Sequence, residues 1–174
     1  IGVHELPEYP EQKIYFPPLL EMINYCYEQG FNHIHTATPG PIGLAALAAA
    51  KILKLPISGT YHTSIPQYAH ILTGDQGIKN IAWKYILWYY DQLDIIYAPS
   101  ESTKDELIKK GINAEKIMVY PRGIDIERFN PSKKNGLLGR MFSIKNGLKL
   151  IYTGRVSKEK NLHLLANNTR FLIL

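Results

Sequence analysis

The chain has 174 residues, 45% of them apolar and 20% charged, with a formal net charge of +5. That length fits one domain, or one domain and part of another, and the balance excludes disorder, collagen and a coiled coil. A single cysteine, Cys26, excludes an intramolecular disulfide and a cysteine-only metal cage, and no apolar run approaches the roughly 20 residues that span a bilayer.

In chain order, residues 1–16 read as irregular or extended, because Pro7 and Pro10 break any helix. Pro17-Pro18 opens a helix that runs to about Gln29 and stops at Gly30. Proline suits a first helical turn and glycine the position past the last. Leu19, Leu20, Met22, Ile23 and Tyr27 are its expected buried face. Residues 31–37 form a short strand, Thr38-Pro39-Gly40-Pro41 a turn, residues 42–53 a helix rich in small side chains, and residues 55–61 a second strand. Residues 63–75 read as a loop, with Pro66 and Gly74 as breakers. A helix over residues 77–93 places Ile78, Ile81, Ala82, Tyr85, Ile86, Tyr89 and Leu93 on one face. Residues 94–98 are a strand stopped by Pro99-Ser100. Ser102 is placed to cap a helix running to Lys110, with Asp105 in the reciprocal capping position, and Gly111 ends it. Residues 116–120 are a strand halted by Pro121.

The alternation predicts an α/β fold, a Rossmann-like parallel sheet with helices on both faces. Such sheets hold ligands beyond the carboxyl ends of their strands, which selects the loops at residues 36–43, 61–68 and 99–103. After Pro121 the texture changes. Residues 1–130 read as one partial domain and residues 131–147 as a linker with a short helix near residues 137–142. Residues 148–174 read as the start of a second domain: a strand over 148–153, a loop over 154–160 and a helix from Leu162.

Several groups can carry chemistry. Gly154-Arg155-Val156-Ser157-Lys158-Glu159-Lys160-Asn161 joins a strand end to a helix. Glycine there lets a ligand approach the backbone, Arg155 offers a planar fork for phosphate oxygens, and Lys160 is a mobile point charge. The same loop also reads as solvated surface. In Gly59-Thr60-Tyr61-His62-Thr63-Ser64, His62 stands just past a strand end, suited to a sugar or acceptor hydroxyl or to a hydrogen bond within the loop. Thr38-Pro39-Gly40-Pro41-Ile42-Gly43 joins a strand to a helix N-terminus, but it is neither a dinucleotide fingerprint nor a Walker loop. His33 and His35 face the same side of a strand, yet no third ligand stands at a familiar metal spacing. Trp83, Tyr85, Trp88, Tyr89 and Tyr90 suit buried core better than a membrane interface, having only Lys79 and Lys84 beside them. Asn167-Asn168-Thr169 matches a glycosylation sequon, but no secretory signal is visible. No nucleophile elbow and no nucleic-acid motif is present. Residues 1–100 carry five Lys/Arg against eight Asp/Glu, a net −3, and residues 101–174 fifteen against seven, a net +8. A basic second half suits an anionic partner or a solvated basic face.

The order of these pieces resembles a known family. His35-Thr36-Ala37-Thr38-Pro39-Gly40-Pro41-Ile42-Gly43, Gly59-Thr60-Tyr61-His62-Thr63 and Tyr97-Ala98-Pro99-Ser100 carry the likeness, with Pro121-Arg122-Gly123-Ile124-Asp125, Phe129-Asn130-Pro131, Tyr152-Thr153-Gly154-Arg155 and Glu159-Lys160-Asn161. They resemble retaining, nucleotide-sugar-dependent glycosyltransferases of the two-domain GT-B fold. Within that family the chain is most similar to sulfoquinovosyl diacylglycerol synthases and phosphatidylinositol mannosyltransferases, over nearly all of residues 31–165.

The resemblance implies an amino-terminal domain on the acceptor side, a carboxyl-terminal domain that holds the nucleotide sugar, and transfer with retention in the cleft between, without metal or cofactor. It implies a nucleotide-sugar donor, a lipid or saccharide acceptor, no nucleic-acid partner, and a cytoplasmic location with peripheral contact at the inner face of the cell membrane. It assigns Arg155 and Lys160 to the donor diphosphate and His62 to the transferred sugar, which makes these three the catalytic candidates. Gly40, Tyr61, Thr63 and Gly154 are the expected substrate-binding residues. Cleavage of the sugar–phosphate bond puts negative charge on the diphosphate, which fixed cations stabilise.

Arg122 departs from the family, standing where many members have asparagine, and residues 167–174 fit it poorly. The family's first strand and glycine-rich loop are expected before Ile1 and its glutamate pair after Leu174, so both ends are expected to be cut from a longer chain. The fragment is then expected to be inactive and its full-length parent to be the enzyme. The alternative is a non-catalytic module of the same fold that binds an anionic lipid or a protein partner. A dinucleotide-dependent dehydrogenase is disfavoured, because no Gly-x-Gly-x-x-Gly follows any strand.

Overall fold

The computed structural model describes residues 2–6, 9–141, 151–157 and 160–166. The chain divides into two compact units, Ile1–Pro121 and Arg122–Leu174. In the first unit, β1 (Gly2–Leu6) and β2 (Tyr9–Phe16) pair antiparallel and lead into α1 (Leu19–Glu28). The chain then alternates through β3 (Ile34–Thr36), α2 (Pro41–Leu53), β4 (Ile57–Thr60), α3 (Ile65–Thr73), α4 (Gln76–Asp91), β5 (Ile95–Ala98), α5 (Glu101–Lys109) and β6 (Ile117–Val119). Strands β3 to β6 form a parallel sheet in the order β3-β4-β5-β6, flanked by helices.

Every crossover steps the same way along this sheet. Right-handed connections that all step one way leave their helices on one face. Alternate strand residues on that face, Ile57, Ile96, Ala98 and Ile117, are at most 4% exposed. They form one core with Leu47 and Ala50 of α2, Trp83, Ile86, Tyr89 and Tyr90 of α4, and Leu107 of α5. The residues between them, His35, Tyr97 and Met118 among them, point to the opposite face. In a doubly wound sheet, that second face is covered by helices of the half whose strand order runs back.

Five details differ from the sequence reading. Residues 1–16 contain the β1–β2 pair, with a register shift between Glu5 and Leu6. Pro10 is tolerated in β2 because each strand of a two-stranded pair has an open edge. Residues 65–73 form α3, with Pro66 in the first turn and Gly74 as a left-handed C-cap at φ +72°, so both supposed breakers are end signals. The buried stripe of α4 is Trp83, Ile86, Tyr89 and Tyr90, whereas Ile78, Ile81 and Trp88, also expected in the core, are 41%, 68% and 51% exposed. Helix α5 is capped by Ser100, whose Oγ accepts from Thr103 N at 3.3 Å, rather than by Ser102. Helix α1 packs on α2, and Leu20 and Tyr27 of its expected buried face are each 77% exposed.

The second unit contains a 3-10 turn (Pro131–Lys133), α6 (Leu137–Met141) and α7 (Leu162–Ala166). Residues 148–150 of the expected strand lie outside the described residues, as do Phe142, Lys158, Glu159 and the Asn167-Asn168-Thr169 sequon; residues 151–153 are not in a strand.

The α4 stripe gives a direct test. Ile86→Ala should lower unfolding free energy by about 2–5 kcal/mol in urea titration, the range for an emptied core site. Ile81→Ala should change it by less than about 0.5 kcal/mol. Equal effects would contradict the stripe.

Candidate functional site

The carboxyl ends of β3 and β4 are held from below by tyrosine hydroxyls of α4. Tyr85 donates to the Pro39 carbonyl. The Tyr89 hydroxyl lies 2.8 Å from Thr36 Oγ1 and 3.4 Å from the Thr38 carbonyl, and Thr36 Oγ1 donates to the same carbonyl at 3.1 Å. Tyr90 donates to the Thr60 carbonyl at 3.0 Å. Burial pushes all three phenols above their ordinary pKa. Each hydroxyl therefore stays protonated, and able to donate, at neutral pH. The aromatic bodies fill the core while their tips satisfy loop carbonyls that close packing would otherwise leave without a partner.

This clamp brings the β3–α2 loop close to the first turn of α2. A Cβ added at Gly43 would lie 1.8 Å from the Thr38 carbonyl oxygen and 2.7 Å from the Tyr89 hydroxyl. Gly40 is the N-cap of α2, half-buried, with φ −74°. A Cβ there would meet only Thr38 Oγ1, 3.7 Å away, so its backbone does not demand glycine.

At the end of β4 the chain alternates inward and outward. Tyr61 is 3% exposed, its amide donates to the Tyr97 carbonyl at 2.9 Å, and its ring meets Tyr90 edge-on at 5.4 Å. Its hydroxyl donates to Ser64 Oγ at 3.3 Å, so Tyr61 supports the loop from beneath. Burial, opposed by that hydrogen bond and reinforced by the Glu106 charge, raises its pKa. His62 and Thr63 are exposed on the outer side of the same loop. Gly40, Tyr61, His62 and Thr63 thus share one end of the first unit's sheet.

Gly154, Arg155 and Lys160 belong to the second unit, on one loop. Gly154 has φ +152°, and an added Cβ would lie 2.8 Å from the Tyr152 hydroxyl, so glycine is required there. The Tyr152 hydroxyl donates to the Arg155 carbonyl at 2.6 Å and tightens the turn. The Lys160 amide donates to the Ser157 carbonyl at 3.0 Å. The Arg155 and Lys160 residues are exposed.

His33 and His35 do face one side, and both meet one hydroxyl: Ser58 Oγ lies 2.8 Å from His33 Nε2 and 2.9 Å from His35 Nδ1. His35 Nε2 reaches Thr60 Oγ1 at 3.1 Å. Among the described residues, no three or more His, Cys, Asp or Glu side chains are grouped to hold a metal ion. The residues that sequence reasoning missed are Thr36 and the hydroxyl tips of Tyr85, Tyr89 and Tyr90. The available signal was three tyrosines on one helix, two of them one turn apart.

The model of Glycosyltransferase Family 4 matches residues 1–128. The chain belongs to this glycosyltransferase family. It is 33% identical over 135 residues to the sulfoquinovosyl transferase SQD2 of Arabidopsis thaliana, covering 76% of this chain and 26% of that protein. It is 31% identical over 129 residues to a GDP-mannose-dependent alpha-mannosyltransferase of Mycobacterium tuberculosis, covering 74% and 33%. An alpha-monoglucosyldiacylglycerol synthase of Streptococcus pneumoniae is 33% identical over 135 residues, covering 74% and 30%. The chain therefore spans about a quarter to a third of the length of these relatives. The crystal structure of HepE from Anabaena in complex with UDP-glucose superposes with a TM-score of 0.60 at 18% identity, covering 86% of this chain and 38% of that one. The fold is that of GT-B glycosyltransferases.

Gly43→Ala isolates the clamp. Alanine is the better helix former, by about 1 kcal/mol in an open helix. The clash with a backbone carbonyl should reverse that sign and cost about 1–3 kcal/mol in denaturant unfolding. A stabilised Gly43→Ala protein would refute the close approach.

Proposed function

We propose that the protein carrying this chain is a retaining glycosyltransferase that moves a sugar from a nucleotide diphosphate sugar to a lipid acceptor. One observation carries the reading. Relatives sharing about a third of the sequence are named for a nucleotide-sugar donor, GDP-mannose, and for a glycolipid product, monoglucosyldiacylglycerol. In this reading residues 1–130 form the acceptor side, residues 131–147 connect, and residues 148–174 begin the donor-binding domain. His62, exposed beside Thr63 and on the same sheet end as Gly40, contacts the transferred sugar. Gly154 lets the diphosphate approach the backbone, and Arg155 and Lys160 neutralise the charge that grows on it as the sugar departs.

Arg155→Ala in the full-length protein should lower transfer from the nucleotide sugar by about 10²–10³-fold, the usual cost of one charge-stabilising donor. Undiminished turnover would remove Arg155 from the diphosphate.

We further propose peripheral contact with the inner, cytoplasmic face of the cell membrane through α4. Ile78, Ile81 and Trp88, exposed at 41%, 68% and 51%, lie three and seven residues apart and share one helix face, with Lys84 beside them. Among the described residues, no helix is long and apolar enough to cross a membrane. An amphipathic row of this kind lies in the headgroup plane. Co-sedimentation with phosphatidylglycerol vesicles should weaken about tenfold in Ile81→Glu and in Trp88→Ala, the scale set by one large apolar side chain. Unchanged binding in both would reject α4 as the contact.

A further inference from the structure

Helix α3 starts with an arrangement that normally caps itself. Ser64 is its N-cap and Gln67 stands three residues on, the Ser-x-x-Gln pattern in which each side chain satisfies the other's backbone amide. Here no side chain caps the helix. Instead Ser64 Oγ donates to Gln67 Oε1, and Gln67 Nε2 donates to Glu106 Oε1 at 2.9 Å, across to α5. Tyr61, just before His62, donates into the same Ser64 hydroxyl at 3.3 Å.

The direction of this chain of bonds is set at its far end. An ionised carboxylate only accepts, so Gln67 must turn its NH₂ toward Glu106 and its carbonyl toward Ser64. Ser64 then has to donate to Gln67, which leaves its lone pairs to receive Tyr61. Each link has one allowed polarity, and the terminal charge strengthens the bond it receives. The links bracket His62 and Thr63, between Tyr61 on one side and Ser64 on the other. The Glu106 charge also reaches Tyr61, where it adds to the upward pKa shift.

We propose that Glu106 is a positioning residue for the His62 loop, acting through Gln67 and Ser64. Its importance for transfer rests on the reading of His62 as a site residue; its effect on the loop does not. Local cap bonds have been given up for a bond that reaches 39 residues along the chain. The geometry of the β4–α3 loop is thereby set by α5, whose Leu107 is anchored in the core at 0% exposure.

The test is amide hydrogen exchange in the full-length protein, read separately over residues 62–68 and over core residues 83–98. Glu106→Ala should speed exchange of residues 62–68 by about tenfold, the scale of losing a hydrogen bond to a charged group, and leave the core unchanged. Glu106→Gln retains an acceptor oxygen and should stay within about threefold of the native rate. Unchanged loop exchange in Glu106→Ala overturns the proposal, and so does a rise spread equally through the core, which marks a merely structural residue. Should Glu106→Ala not fold, Gln67→Met, which removes both polar ends at similar length, must reproduce the local effect or the proposal falls. His62→Ala, assayed for transfer, separates the two ideas. Full turnover with a loosened Glu106→Ala loop refutes the site role of His62 alone, and lost turnover with an unchanged loop refutes the relay alone.

Discussion

The contact on which this architecture depends is a phenol donating to a backbone carbonyl at the end of a parallel strand. Loops at the carboxyl end of such a sheet must turn sharply into the next helix, which leaves carbonyls facing inward with no ladder partner. Buried and unpaired, each costs about 1–3 kcal/mol. Tyr85, Tyr89 and Tyr90 take up the carbonyls of Pro39, Thr38 and Thr60 from a single helix. Phenylalanine would fill the same volume and deprive the Pro39 and Thr60 carbonyls of these donors, while the Thr38 carbonyl would keep the Thr36 hydroxyl at 3.1 Å. The tyrosines therefore make the loops of two successive strands into one rigid platform, and rigidity is what a site needs from its scaffold.

The platform and the relay act on neighbouring segments by different means. The clamp is neutral and buried, and it fixes where the strands end. The relay ends on a charge, and it fixes the loop that leaves β4. Tyr61 belongs to both, with its ring against Tyr90 and its hydroxyl on Ser64. A shift in α4 or in α5 would thus reach His62 through the same residue. Just past the end of α5, Lys110 Nζ lies 5.0 Å above the Trp83 ring of α4.

Much of this is legible in the amino-acid sequence. Strands β3 to β6 fall within two to three residues of their expected bounds, because short β-branched runs bounded by Pro, Gly and Ser leave few alternatives. Proline and glycine were harder to read. Pro66 and Gly74 begin and end a helix as well as they break one, and only packing of α3 against α4 decides between these roles. Periodicity placed the apolar face of α4 one step off. Ile78 and Ile81 are as apolar as Trp83 and Ile86, and the outer row becomes visible only once the sheet lies beneath the helix. Hydroxyl and carboxylate partners such as Tyr89 with Thr36 and Gln67 with Glu106 are separated by 53 and 39 residues, so no local spacing reveals them.

The distribution of charge follows the division of the chain. Residues 1–121 carry nine Lys/Arg against twelve Asp/Glu, a net −3, and residues 122–174 carry eleven against three, a net +8. A split at residue 100 gives the same two net values, because residues 101–121 hold four charges of each sign. The excess cation therefore belongs wholly to the second unit, where Gly154, Arg155 and Lys160 lie. A solvated basic face spread over the molecule would not respect that boundary. In the proposed reading the second unit holds a diphosphate, and a one-signed field raises the local concentration of such an anionic ligand while fixed cations retain it. The first unit has no excess cation. Its loop residues are neutral and hydroxyl-rich, with Thr36, Thr38, Thr60, Thr63 and Ser64 at the strand ends.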